Sequence, residues 1–291
     1  MGYLDIEGSF DQLKIRILRH QLAGHPLMTM HSLAELALRL EPRYVRFHNG
    51  IRHVDTCMGE MLAADRTRKG LRSAIDNLHK EKAFVQIINV RADPAYRKLV
   101  DEVLDELVPR LPAGDRRLLN RDAAAFLASP RSVTPFHLDH EQNFVCHLRG
   151  AKTFYVWDHR DRSVVGERAL EIFYREGSLR EALYHPSMQP KARSIALQPG
   201  DCVYMPMGSP HAAVTGDEVT VTFSVLMNTR SSFELVESYR VNHALRRLGL
   251  APTPVGISQV YDAWKRHAAG AVRWVRALAR GSRTERWLQR Y

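Results

Sequence analysis

At 291 residues, 45% hydrophobic and with a formal charge of +10, the chain has enough apolar material for one large domain with attachments. No apolar run approaches the ~20 residues of a membrane span, and the acidic Met1–Phe10 stretch lacks the apolar centre of a secretion signal. Cys57, Cys146 and Cys202 show no paired spacing, which argues against a disulfide framework and for a reduced, cytoplasmic setting.

The first third alternates helical and extended stretches. Phe84 to Val90 reads as a buried strand that extends a larger sheet. Pro94 to Leu111 is the clearest helix, with Tyr96, Leu99, Val100, Val103, Leu104 and Leu107 on one face. Asp93 caps it and Pro94 occupies its first turn.

Eight short strands follow: Asp122–Ala128, Thr134–Asp139, Glu141–Leu148, Lys152–Trp157, Arg193–Leu197, Cys202–Met205, Ala212–Thr215 and Val219–Met227. Arg149-Gly150 and Gly216-Asp217 read as hairpin turns. Eight strands with such punctuation predict a mainly β fold with flanking helices, an antiparallel barrel or jelly roll. The charged stretch 158–190 is expected to be a partly helical insertion near the barrel mouth, a candidate substrate lid. Residues 1–121 form an N-terminal α/β extension, 122–229 the barrel, and 230–291 a basic helical tail.

That tail carries twelve Lys/Arg against four Asp/Glu, whereas the first 229 residues carry thirty against twenty-eight. Val260, Trp264, Ala268, Ala271, Val275 and Leu278 form an apolar stripe, with Arg266, Arg273 and Arg280 off it. A packing or dimerisation helix with a solvated basic face is the expectation. Docking of an acidic protein stays open, and nucleic acid is disfavoured because no recognition motif accompanies the charge.

The chemistry centres on His137-Leu138-Asp139 and His211. Two imidazoles and a carboxylate make the facial triad that holds Fe(II) and leaves positions open for a co-substrate and O2. An H-x-D pair alone is weak evidence. His211, however, ends Gly200-Asp201-Cys202-Val203-Tyr204-Met205-Pro206-Met207-Gly208-Ser209-Pro210-His211. This spacing resembles the second signature of the cupin superfamily, with Thr215 where that signature ends in Asn. On a strand, His137 and Asp139 share a face and can point together into a barrel.

Lys152 opens an inward row with Phe154 and Val156. It either snorkels to water at the strand end or pairs with an anion inside. His147 shares a strand face with Asn143 and Val145, and a metal-bound His147 would give a three-histidine cupin. His140 is expected to point away from the triad, and His159 to be solvated.

The run Thr134-Pro-Phe-His137-Leu-Asp139-His-Glu-Gln-Asn143-Phe, with Gly150-Ala-Lys152, resembles the JmjC/cupin-like Fe(II)- and 2-oxoglutarate-dependent oxygenases. It is most similar to the branch holding the asparaginyl hydroxylase that inhibits hypoxia-inducible factor. There, a Thr three residues before the first His and a Lys fifteen after it bind the distal carboxylate of 2-oxoglutarate; Thr134 and Lys152 stand at those offsets. Asn143 matches an Asn near the other end of the co-substrate. A further Asn of that branch falls close to Leu226, with Asn228 nearby.

The resemblance implies Fe(II) held by His137, Asp139 and His211, with O2 and 2-oxoglutarate consumed and succinate and CO2 released. It also implies a protein, peptide or amino-acid-like substrate and a homodimer through the C-terminal helices. The alternative is a cupin without 2-oxoglutarate, either a metal-binding regulator or a co-substrate-independent dioxygenase. Demethylation is also open to the fold, although no zinc-ligand array or reader module accompanies it.

Overall fold

Short, largely apolar runs bounded by turn residues build the central strands, and residues 220–225 alternate polar and apolar side chains, which turns one face of that strand toward the barrel interior. A computed structural model describes residues 2–49, 53–56, 68–80 and 83–280. The N-terminal part contributes β1 (Arg16–Arg19), α1 (Met30–Arg39), β2 (Val45–Asn49), α2 (Arg68–Asp76), β3 (Ala83–Ile87) and α3 (Pro94–Leu107). The barrel strands are β4 (Asn120–Ala128), β5 (Val133–His137), β6 (Gln142–Arg149), β7 (Lys152–Val156), β8 (Arg193–Leu197), β9 (Asp201–Met205), β10 (His211–Thr215) and β11 (Thr220–Asn228). Helix α4 (Glu167–Glu176) interrupts them, and α5 (Arg230–Arg247) and α6 (Gln259–Arg280) follow.

Two antiparallel sheets face each other. The larger has the order β1-β9-β6-β11-β4-β3-β2, and the smaller β5-β10-β7-β8. This is the mainly β, helix-flanked jelly roll that the strand spacing implied. Strand β3 extends the large sheet, as expected of Phe84–Val90, and β1 and β2 lengthen it further. Both predicted hairpins are corrected: β6 and β7 lie in different sheets, as do β10 and β11. A Gly turn reverses the chain without specifying which sheet receives it, and Gly150 (φ 78°) turns a corner here.

Helix α3 starts at the Asp93 cap, whose carboxylate accepts from the Ala95 and Tyr96 amides. It stops at Leu107, short of the predicted Leu111, and a 3-10 turn, Val108–Arg110, takes over around Pro109. Its buried face joins Leu33 and Leu36 of α1 against Phe144, Phe223 and Val225 on the outer face of the large sheet. Between the sheets lies a second core of Val145, Phe154, Val156, Val203, Met205 and Ala213.

Helix α4, the helical part of the 158–190 insertion, is packed into the fold. Leu170, Phe173 and Tyr174 are buried with Phe136, Trp157 and Tyr239, and the fully buried Glu171 carboxylate accepts from Arg246 Nε at 2.8 Å. These contacts build α4 into a wall beside β5 and α5.

The part of the last helix's apolar stripe that is described faces outward. In α6, Asp262, Lys265 and Ala269 are the buried positions, while Val260 (79% exposed) and Trp264 (53%) face outward. Lys265 donates to the Thr253 carbonyl at 2.7 Å and to Asp262 at 3.1 Å, so a polar clamp seats the helix in place of the apolar stripe. The side chains of Ala271, Arg273, Val275, Leu278 and Arg280, and the whole of Cys57 and Trp287, lie outside the described residues. Among the described residues, no helix is long and apolar enough to cross a membrane.

Candidate metal centre

His137 ends β5 and His211 opens β10, and the two residues are direct partners in the antiparallel register. Their ring centroids lie 4.0 Å apart. Asp139 sits in the turn just past β5, so it joins them by a bend of the chain and not by strand alternation, as its motif had suggested. Its carboxylate oxygens approach His137 Nε2 at 3.8 Å and His211 Nε2 at 3.6 Å. One ligand atom from each of the three residues falls within 4.8 Å of the others.

Backbone contacts aim the rings. His137 Nδ1 lies 2.8 Å from the Pro135 carbonyl, and His211 Nδ1 lies 3.1 Å from the Ser209 carbonyl. Nδ1–H donation to those oxygens leaves each Nε2 lone pair facing Asp139, as a metal ligand requires. The Gly208 amide donates to the Asp139 carbonyl at 3.1 Å, tying the two ligand loops together. Asn143 Nδ2 donates to Asp139 Oδ2 at 3.1 Å.

The electrostatics suit a cation. Burial, reinforced by neighbouring His211, pushes His137 down to about 4, so the ring is neutral. Burial opposes ionisation of Asp139, yet the His211 and His137 rings and the Asn143 amide outweigh it and hold its carboxyl below the usual range. Two imidazole nitrogens and a carboxylate arranged in this way fit Fe(II). Beside it, burial raises Glu141 to about 8, with the Asp139 and Asp122 charges adding to the effect, and burial raises Asp122 to about 6.

Lys152 does not snorkel. It is 7% exposed, and its ammonium crosses the interior to donate to Thr222 Oγ1 of the large sheet at 2.6 Å. Among the described residues no carboxylate stands within ion-pair distance of it, and burial alone lowers it to about 8. Thr134 pairs with Ala213, which pairs with Phe154, so Thr134 and Lys152 share the inward face of the small sheet.

The other histidines are accounted for separately. His147 faces Thr222 Oγ1 at 3.4 Å and the Gly150 carbonyl at 2.8 Å, so its nitrogens do not join the triad. His140 stacks on Phe173 at 3.9 Å. His159, expected to be solvated, is largely buried, and burial brings it down to about 4. Asn228 donates to the His140 carbonyl at 2.9 Å and accepts from Asn120, which occupies its amide in bracing the turn that carries Asp139. Thr222 escaped the sequence reading. The signal was present in the alternation of Thr220, Thr222 and Ser224 with Val221, Phe223 and Val225, which marks a polar inward face on β11.

Residues 41–230 match the model of the cupin-like domain family. The chain belongs to that family. No curated protein matches this cupin-like sequence. Among solved structures it is similar to the Escherichia coli ribosomal oxygenase YcfD in complex with cobalt and succinic acid. That likeness has 15% identity and a TM-score of 0.46, covering 90% of this chain and 63% of that one. The same protein with cobalt and 2-oxoglutarate gives 14% identity and a TM-score of 0.44, over 90% and 63% of the two chains. The DMSP lyase DddQ from Ruegeria pomeroyi DSS-3 gives 21% identity and a TM-score of 0.24 over 37% of this chain and 38% of its own. The cupin-like chain thus spans less than two thirds of the length of the Escherichia coli protein.

Proposed function

We propose that this cupin-like protein is an Fe(II)- and 2-oxoglutarate-dependent oxygenase. Its reaction is hydroxylation of a C–H bond in a protein, peptide or amino-acid-like substrate, with release of succinate and CO2. His137, Asp139 and His211 are assigned to the metal, and Thr134, Asn143 and Lys152 to the co-substrate. The offsets of Thr134 and Lys152 from His137 favour the asparaginyl hydroxylase branch.

The observation that carries this reading is the buried ammonium of Lys152, which shares the barrel interior with the triad. An interior ammonium whose one hydrogen bond among the described residues goes to a hydroxyl is costly unless an anion joins it. A dicarboxylate chelating the metal with one end supplies that anion with the other. A simple metal-binding cupin has no use for such a group, and His147, bonded elsewhere, does not make a three-histidine site.

Bound metal and co-substrate supply the oxidising chemistry. The chain's own work is positional. Lys152 and Thr134 hold the distal carboxylate, Asn143 steadies Asp139, and Phe154, stacked on His211 at 5.6 Å, keeps the interior dry. No side chain is assigned as nucleophile or general base.

The deciding experiment is succinate formation from 2-oxoglutarate with added Fe(II), in the wild type and in Asp139→Ala. Turnover lost in the variant supports the reading. Equal turnover in both refutes the ligand assignment. Absence of succinate from a metal-loaded wild type offered candidate substrates would favour the alternative cupin chemistry. As to partners, the outward Val260, Tyr261 and Trp264 favour a homodimer through α6.

A further inference from the structure

We propose that His147 is a positioning residue for the co-substrate: by accepting the Thr222 hydroxyl proton, its ring makes Thr222 Oγ1 a fixed acceptor that holds the Lys152 ammonium in place for a distal carboxylate. This role rests on the co-substrate function given to Lys152. His147 and Thr222 are both buried, and they meet where the end of β6 lies beside the start of β11.

The contacts set the direction of every link. His147 Nε2 lies 2.8 Å from the Gly150 carbonyl, which can only accept, so Nε2 carries the ring proton. Burial, with the Lys152 charge adding to it, brings His147 down to about 4, so the ring is neutral and Nδ1 is a bare acceptor. Thr222 Oγ1 stands 3.4 Å from that Nδ1 and 2.6 Å from Lys152 Nζ. An ammonium offers only donors, so the single hydroxyl proton turns to His147 and the oxygen lone pairs turn to Lys152.

The backbone holds the ring where it can do this. Thr222 and His147 are direct partners in the antiparallel register, beside a register shift between Val221 and Thr222 of the kind that re-aims side chains. The His147 carbonyl accepts from the Gly200 amide and from His20 Nε2, both at 2.9 Å. The Leu22 amide donates to His20 Nδ1 at 3.1 Å, which leaves the His20 proton on Nε2. Gly150 in turn sits at the corner that leads into β7, two residues before Lys152. One imidazole therefore grips both the corner that delivers Lys152 and the hydroxyl that meets its ammonium. A lysine stem is flexible, so a fixed acceptor at its tip removes freedom that carboxylate binding would otherwise have to remove.

The test measures 2-oxoglutarate affinity of the Co(II)-loaded full chain by calorimetry. The variants are His147→Leu, His147→Asn, Thr222→Val and the double variant His147→Leu/Thr222→Val. Thr222→Val should weaken binding about tenfold, and His147→Leu about fivefold because the 3.4 Å contact is the weaker link. The double variant should bind no worse than Thr222→Val alone, because His147 has nothing to act through once the hydroxyl is gone. His147→Asn, whose side-chain oxygen stands near the place of Nδ1, should restore most of the affinity. A merely structural grip on the Gly150 corner would not be rescued, since Asn carries no donor at the Nε2 position. Melting and Co(II) affinity should stay near wild type throughout, and a parallel loss of Co(II) affinity in His147→Leu would make the residue a general support and overturn the proposal. Wild-type affinity in His147→Leu or Thr222→Val, or losses that multiply in the double variant, overturn it while leaving the oxygenase reading intact. If His147→Leu does not fold, His147→Asn and Thr222→Val decide, and an Asn variant as weak as Thr222→Val overturns it. A Co(II)-loaded wild type that binds no 2-oxoglutarate overturns the oxygenase reading and the role of His147 with it.

Discussion

Lys152 and Thr222 join the two sheets across the barrel interior through one hydrogen bond of 2.6 Å. Lys152 opens β7 in the small sheet, and Thr222 lies near the start of β11 in the large one. The bond satisfies one of three ammonium protons, and the proposed co-substrate carboxylate would take another. Replacing Lys152 by Met tests this. The 2-oxoglutarate concentration needed for half-maximal succinate formation should rise about 10- to 100-fold, as loss of a charge-assisted hydrogen bond predicts. Metal content should stay near that of the wild type, and the ligand-free variant should melt higher because a buried charge has gone. Lost metal with unchanged co-substrate dependence would reassign Lys152.

The same residue predicts opposing pH trends. Burial lowers Lys152 to about 8 in the folded chain, against an ordinary value of 10.5. Between these values the unfolded chain binds more protons than the folded one, so ligand-free stability should rise with pH across that window and level off above it. Binding of 2-oxoglutarate needs the ammonium form, so its affinity should fall as pH rises through about 8. Denaturant melts and co-substrate titrations from pH 7 to 10 measure both trends. Parallel trends would show that another group controls them.

Much of this arrangement was legible in the chain. His137, Asp139 and His211 stand out because turn residues frame them: Gly200, Pro206 and Gly208 reverse the backbone around β9 whatever lies nearby. The corners at Gly150 and Gly216 were not legible as corners, because local turn chemistry does not report which sheet the next strand joins. Which face of α6 docks on its own chain was not legible for a related reason. Apolar periodicity at Val260 and Trp264 identifies a helix face, but the pair Asp262–Lys265 docks onto the Thr253 carbonyl and turns that face outward. Burial of His159 depends on the packing of segments distant in sequence, which no local pattern encodes.

Asn143 is expected to act on metal affinity through Asp139, since its amide donates to the carboxylate at 3.1 Å. Partners of this kind contribute about 10- to 100-fold to metal binding. Asn143→Ala should therefore weaken Fe(II) or Co(II) binding by about that factor, whereas Asp139→Ala should abolish it. Anaerobic metal titrations distinguish the two. Wild-type metal affinity in Asn143→Ala, combined with a raised co-substrate requirement, would place its role entirely on 2-oxoglutarate.

The outward face of α6 makes the proposed dimer testable with one charge. Val260, Tyr261 and Trp264 are exposed within two turns, with Leu248, Leu250 and Ile257 exposed on the preceding connection. Val260→Glu inserts a carboxylate into that patch without altering the Lys265–Asp262 clamp that seats the helix. Sedimentation should show a dimer for the wild type and a monomer for the variant, with unchanged melting of the monomer fold. A wild type that sediments as a monomer at micromolar concentration rejects the dimer.

Gly208 carries the last prediction, because three constraints meet there. Its φ of 73° lies in the left-handed region, where a side chain costs about 1 kcal/mol or more. A β-carbon at this position would collide with the Tyr174 hydroxyl on α4. Tyr174 in turn stacks on Tyr239 of α5 with centroids 4.9 Å apart, so the ring cannot retreat without disturbing the packed wall. Meanwhile the Gly208 amide holds the Asp139 carbonyl. Gly208→Ala should therefore lower thermal stability and weaken metal binding together. Gly166→Ala, where an added methyl group meets open space, should disturb metal binding little. Measuring both variants by melting and Co(II) titration separates a general glycine effect from this contact. Undiminished metal affinity in Gly208→Ala would mean that the Asp139 turn keeps its shape without that support.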